Sequence, residues 1–142
     1  MERKHRCALV WFRRDLRLTD NPALVAALQS AATIVPVYIH DPQAEGEWAP
    51  GAASRVWLHH SLAALAANLR QRGAPLVIHR GPTLENLMAL TRESGATAVC
   101  WNRLYEPTLV ERDRRVQAAL TQAGIETLSA NAALWAEPWA PK

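Results

Sequence analysis

The chain has 142 residues, of which 49% are apolar and 20% charged, and a formal net charge of +3. That length and apolar content suit one domain with its own core, and the composition excludes a disordered tail. Two cysteines are too few for a secreted disulfide scaffold, and the mild positive excess, much of it from Arg3, Lys4, His5 and Arg6, suits an ordinary solvated surface or attraction to a polyanion.

In chain order, residues 7–12 (CALVWF) read as a buried strand. The basic flank imitates a secretory leader, but the apolar run is short and ends at once in Arg13, Arg14 and Asp15. Asp20-Asn21-Pro22 opens a helix to about residue 31, with Asn21 as cap and Pro22 in the first turn. Residues 33–39 (TIVPVYI) form a second strand rich in β-branched residues, in which Pro36 is an unusual member. Residues 41–51 form a loop. A helix over 53–72 carries Leu58, Leu62, Leu65 and Leu69 as one apolar stripe, and Gly73 ends it. Residues 75–79 (PLVIH) make the third strand. Thr83 caps a helix ending at Gly95, with Leu84, Leu87, Met88 and Thr91 on one face. Residues 97–101 (TAVCW) make the fourth strand. A charged helix spans 107–123, with Val116, Leu120 and Ala123 inward, and a short fifth strand follows at 125–128. Trp57 and Trp101 are expected in the core, and Cys7 and Cys100 as buried free thiols. No stretch reaches transmembrane length; a soluble, cytoplasmic protein, expected to be a monomer, is the reading.

The order βαβαβαβαβ predicts an α/β fold: a three-layer, Rossmann-like, doubly wound sheet of five parallel strands in the order 3-2-1-4-5. Ligands of such sheets sit beyond the carboxyl ends of the strands, near the point where strand order reverses. The residues following the strands are Arg13, Arg14, Asp15, Leu16 and Arg17; His40 and Asp41; Arg80 and Gly81; and Asn102, Arg103, Leu104, Tyr105 and Glu106. Their mixture of guanidinium donors and carboxylate acceptors suits a polar planar ligand, and equally a structural ion-pair network. The glycines never form GxG, and there is no GK[ST] phosphate loop and no GxSxG elbow. No Cys/His set has metal-ligand spacing; the adjacent His59 and His60 point different ways on a helix. No self-sufficient catalytic centre is visible, and no metal site.

LVWFRRDLRLTDNPAL at 9–24 resembles the opening of the DNA photolyase/cryptochrome family, an apolar strand followed by R-x-D-L-R and D-N-x-A-L. VYIHDP at 37–42, SRVWLHHSLAALAANLRQRG at 54–73 and AVCWNRLYEP at 98–107 agree in order and spacing, and Arg112-Asp113 matches a recurring Arg-Asp pair. The resemblance covers nearly the whole chain. It implies an N-terminal α/β domain over 1–130, with 131–142 beginning an interdomain linker. The helical domain that binds FAD, and receives the flipped lesion, lies outside the chain.

The resemblance also implies what the intact protein does. Light-excited, reduced FAD gives an electron to a pyrimidine dimer in damaged DNA, and the dimer splits; this is the carbon–carbon lyase activity of a deoxyribodipyrimidine photo-lyase. The present piece alone is expected to be inactive. Its own part would be to hold an antenna chromophore (deazaflavin, flavin or folate). Arg55 matches a position that touches a deazaflavin or flavin antenna in some relatives, and Arg14, Asp15 and Asp41 line the same cleft; Asn102, Leu104 and Glu106 complete the candidate set. Leu104 departs from the acidic residue of the deazaflavin type. Thr108 and Leu109 depart from the Asn and Glu of the folate type, which counts against that kind of site. The alternatives are a cryptochrome photoreceptor without repair activity and a standalone nucleotide- or flavin-binding module. The tail LWAEPWAPK has no helical period, and its Pro-Trp content suits a segment lying on another surface.

Overall fold

The computed structural model describes residues 4–13, 16–41, 52–105 and 107–130, with backbone alone for 52–55. The elements in order are β1 (His5–Phe12), α1 (Pro22–Ser30), β2 (Ala31–His40), α2 (Ala52–Gln71), β3 (Val77–Arg80), α3 (Thr83–Ser94), β4 (Ala98–Asn102), α4 (Pro107–Gln122) and β5 (Glu126–Ala130). Every pairing is parallel and the strand order is β3-β2-β1-β4-β5, as the alternation predicts.

β1 is the centre of the sheet and is covered on both sides, which is why CALVWF is continuously apolar rather than alternating. Cys7, Leu9 and Trp11 face one layer, where Leu87 and Leu90 of α3 and Val116 and Leu120 of α4 close the core. Ala8, Val10 and Phe12 face the other layer, with Ala23, Leu24 and Ala27 of α1 and Leu65 and Leu69 of α2. Pro36 pairs with Val10 across β1, while the pairing to β3 begins only at Val37. The missing proline N–H therefore falls where β3 has not yet begun.

Local signals behave as their chemistry dictates. The Asn21 side chain accepts the Leu24 N–H at 3.1 Å, and Pro22 opens the helix. Gly95 closes α3 in the left-handed region at φ 74°, returning its N–H to the Thr91 carbonyl.

Four expectations need correction. Thr83 does not cap α3; it is the first helical residue, and Asp41 from the end of β2 accepts both its N–H at 2.9 Å and its hydroxyl at 2.8 Å. Ala123 is exposed, because α4 has ended before it. The Leu stripe of α2 sinks only at Leu65 and Leu69, while Leu58 and Leu62 are half-buried. Trp57 is 59% exposed rather than packed in the core, whereas Trp101 is 1% exposed as expected. The expected tail beyond residue 130 and most of the 41–51 loop lie outside the described residues. Among the described residues no helix is long and apolar enough to cross a membrane.

Candidate ligand-binding edge

The carboxyl ends of β1, β2, β3 and β4 lie along one edge of the sheet, and strand order reverses where β1 lies between β2 and β4. The best-defined feature there is a buried charge cluster. Arg13, the residue after β1, has a side chain only 5% exposed, and its guanidinium pairs with the Asp113 carboxylate at 2.5 Å. The same guanidinium donates to the Asn102 carbonyl at the end of β4. Arg112 approaches the other oxygen of Asp113 at 3.1 Å. Both guanidiniums lie over the Trp11 ring, at 4.6 Å and 5.3 Å from its centroid, and Trp101 meets that ring edge-on at 5.5 Å. Cation–π contact and a shared carboxylate thus fix Arg13, at the end of β1, against α4.

A second set of bonds fixes α1 to β4. Asn102 is buried; its Oδ1 accepts the Ala23 N–H at 3.0 Å and its Nδ2 donates to Asn21 Oδ1 at 2.6 Å. One amide side chain therefore satisfies an orphan donor at the start of α1 and orients the residue that caps it. Ahead of α1, Arg17 donates to the carbonyls of Thr19 and Asp20, and Asp20 itself sits at φ 50°, a conformation Asp tolerates.

Of the seven candidate residues, Asp41 and Asn102 stand at this edge holding the N-termini of α3 and α1. Leu104 follows β4 and is half-buried. Arg55 lies in the first turn of α2, placed by its backbone alone. Arg14, Asp15 and Glu106 fall outside the described residues. Arg80 and Arg103 add exposed residues at the ends of β3 and β4. Arg13 pairs with Asp113, a hundred residues away in sequence.

Asp113 was open to detection. It shares the spacing of Leu109, Val116 and Leu120, so a carboxylate stands in an otherwise apolar stripe of α4, and a buried carboxylate needs a cation. The cysteines are structural. Burial, helped by the charge of Glu126, pushes the Cys100 thiol up to about 11, and burial raises Cys7 too. Among the described residues no group of three or more His, Cys, Asp and Glu could hold a metal.

A parallel 3-2-1-4-5 sheet with helices on both faces defines a doubly wound α/β domain. The DNA photolyase family model matches residues 8–142, and the chain belongs to that family. It is 42% identical over 134 residues to Cryptochrome-1 of Arabidopsis thaliana, covering 94% of this chain and 20% of the relative. It is also 42% identical over 130 residues to the deoxyribodipyrimidine photo-lyase of Agrobacterium fabrum, covering 92% of this chain and 26% of that protein. The structure of a bacterial class III photolyase from Agrobacterium tumefaciens superposes on all of this chain, and on 29% of its own, with a TM-score of 0.87 and 38% identity. That of an archaeal photolyase from Sulfolobus tokodaii with two FAD molecules gives 0.73 and 27% identity, over 88% of this chain and 29% of its own. The chain thus spans under a third of the length of these relatives.

Proposed function

We propose that this chain is the N-terminal domain of a blue-light DNA photolyase and that its carboxyl edge holds an antenna chromophore. The observation that carries this reading is the likeness to Agrobacterium photolyases along essentially the whole chain. In the intact protein, FAD in a following helical domain supplies the electron that splits a pyrimidine dimer. The lesion is turned out of the duplex, which costs less for a damaged base than for a paired one. In this proposal residues 1–130 form the domain and 131–142 begin the linker to the helical part.

The antenna cradle consists of Arg55, Leu104, Arg14, Asp15 and Glu106, while Asp41 and Asn102 serve by fixing the helices that frame it. The two FAD molecules of the Sulfolobus tokodaii photolyase, described with the implication of a novel light-harvesting cofactor, support a flavin-like occupant. The buried thiols suit a reducing, cytoplasmic compartment. A cryptochrome without repair activity is the second reading, favoured by the equal identity to the Arabidopsis protein.

The test is titration of the 142-residue chain with FMN, a deazaflavin and a reduced folate, followed by chromophore fluorescence. Saturable binding of a flavin-type chromophore that weakens in Arg55→Ala is expected; no binding of any of the three, or binding indifferent to Arg55, rejects the antenna role. The same chain, mixed with FAD and a dimer-containing oligonucleotide under blue light, is expected to leave the dimer intact.

A further inference from the structure

The amino edge of the sheet holds a buried titratable side chain that the proposed ligand edge does not use. His5 opens β1 with a side chain only 8% exposed. Its Nδ1 lies 2.7 Å from Thr97 Oγ1. Its Nε2 has no hydrogen-bond partner and stands 3.5 Å from Glu126 Oε2 of β5. Native folds rarely leave a buried polar atom in that state without a reason.

Both neutral forms of the ring fit this setting badly. With the proton on Nδ1, that nitrogen donates to Thr97, and the bare lone pair of Nε2 faces a carboxylate oxygen. With the proton on Nε2, the ring accepts from the Thr97 hydroxyl, and its N–H falls short of a full hydrogen bond to Glu126. Only the imidazolium presents a donor on both sides, one to a hydroxyl and one to a carboxylate. The carboxylate is meanwhile engaged at 2.5 Å by Lys4, whose side chain is 69% exposed and can move out into water. The other groups around the ring are neutral or exposed. In β2 the residue in register is Ala31. Arg92 and Glu93 near the end of α3 are exposed, and the last turn of α4 (ALTQ) is uncharged. Arg6, next along β1, is exposed and alternates to the other face. Burial raises the Cys7 and Cys100 thiols, which keeps them neutral.

We infer that His5, Thr97 and Glu126 form a proton-operated latch that ties the edge strand β5 to β1 across β4. β4 lies between the two strands. The backbone already bridges them there: the Thr97 N–H donates to the Cys7 carbonyl and the Glu126 N–H to the Thr97 carbonyl, each at 3.0 Å. A proton on His5 draws Glu126 from Lys4 to Nε2, so an exposed ion pair gives way to one buried at its histidine end. β5 pairs with β4 alone and none of its side chains is fully buried, so such a contact bears directly on how firmly the edge holds. This inference is independent of the photolyase reading. Histidine ordinarily changes charge between about pH 5 and 8. The hydrogen bond from Lys4 holds the Glu126 carboxyl below its usual range, so the carboxylate persists over that span. A proton bound preferentially by the folded form makes stability rise as pH falls.

The test is urea unfolding of the 142-residue chain, of His5→Asn, of Glu126→Gln and of the double variant, from about pH 8 to about pH 5. Asparagine keeps an amide able to bond Thr97 and has nothing to titrate. The folding constant of the wild type relative to His5→Asn is expected to rise several-fold over that span, while the ratio of Glu126→Gln to the double variant stays level. A wild-type ratio that is flat or falls, or a rise equal in both backgrounds, overturns the inference. Amide exchange gives the same answer without a His5 variant. As the pH falls, protection of the β5 amides is expected to increase several-fold more in the wild type than in Glu126→Gln, and equal behaviour of the two proteins overturns the latch.

Discussion

The two ends of the sheet both join β1 to later parts of the chain by ion pairs, and they do so in opposite surroundings. At the carboxyl end Arg13 and Asp113 are 5% and 12% exposed, stacked on Trp11 and shared with Arg112. At the amino end Lys4 reaches Glu126 at 2.5 Å with side chains 69% and 30% exposed. Beside that pair His5 is buried and hydrogen-bonded to Thr97 Oγ1 at 2.7 Å, with its other ring nitrogen 3.5 Å from Glu126. A buried pair carries a desolvation cost that an exposed one avoids, so burying it is a poor route to net stability. Its benefit is geometric: one carboxylate and one guanidinium can meet in few ways. The fold thus places a buried ion pair at the edge where a ligand is proposed to bind, and an exposed pair at the opposite edge.

That contrast can be broken experimentally. Asp113→Ala should have the largest effect, about 3–5 kcal/mol of lost stability, because it removes a carboxylate shared by the buried Arg13 and by Arg112. Urea unfolding of that variant against the double Arg13→Met, Asp113→Leu is the check. The double should recover much of the loss, and a double no better than the single would show that the pair itself supplies the stability. Asn102→Ala comes next, at about 1–3 kcal/mol, since the Ala23 N–H loses its Asn102 acceptor and Asn21 Oδ1 loses one of its two donors. Hydrogen exchange should accelerate at Ala23 and Leu24 and leave α3 unchanged.

Glu126→Gln should be the mildest, under about 1 kcal/mol at low salt and less at high salt. The hydrogen bond from Lys4, with the charges of Lys4 and His5, holds the Glu126 carboxyl below its usual range. A depressed carboxyl stabilises the fold above its unfolded-state pKa, and that contribution disappears as pH falls through the lowered value. Wild type and variant should therefore differ at neutral pH and converge in acid. Urea midpoints followed from neutrality down to acid decide it; a gap that persists in acid would mean the pair matters for reasons other than charge.

Much of this was readable from the chain. CALVWF and TAVCW are apolar because parallel strands are buried on both faces, and Asn21-Pro22 marks a helix start by local chemistry alone. The errors differ in cause, and one of them is a partner distant in sequence. Thr83 reads as a cap because a cap is usually local, yet the acceptor is Asp41, forty-two residues earlier. Trp57 reads as core because tryptophan is usually buried, yet it lies on the part of α2 where the leucine stripe rises out of the core. The candidate site was legible as a set of strand ends. Which of those residues hold helices depends on contacts such as Asn102 with Ala23 that no spacing rule encodes.

Amide chemical-shift mapping of the 142-residue chain during titration with FMN tests the ligand edge most directly. The account predicts shifts concentrated at Arg13, Asp41, Arg80, Asn102 and Leu104, with His5, Thr97 and Glu126 unmoved. Shifts centred on the amino end, or spread evenly over both, would contradict it.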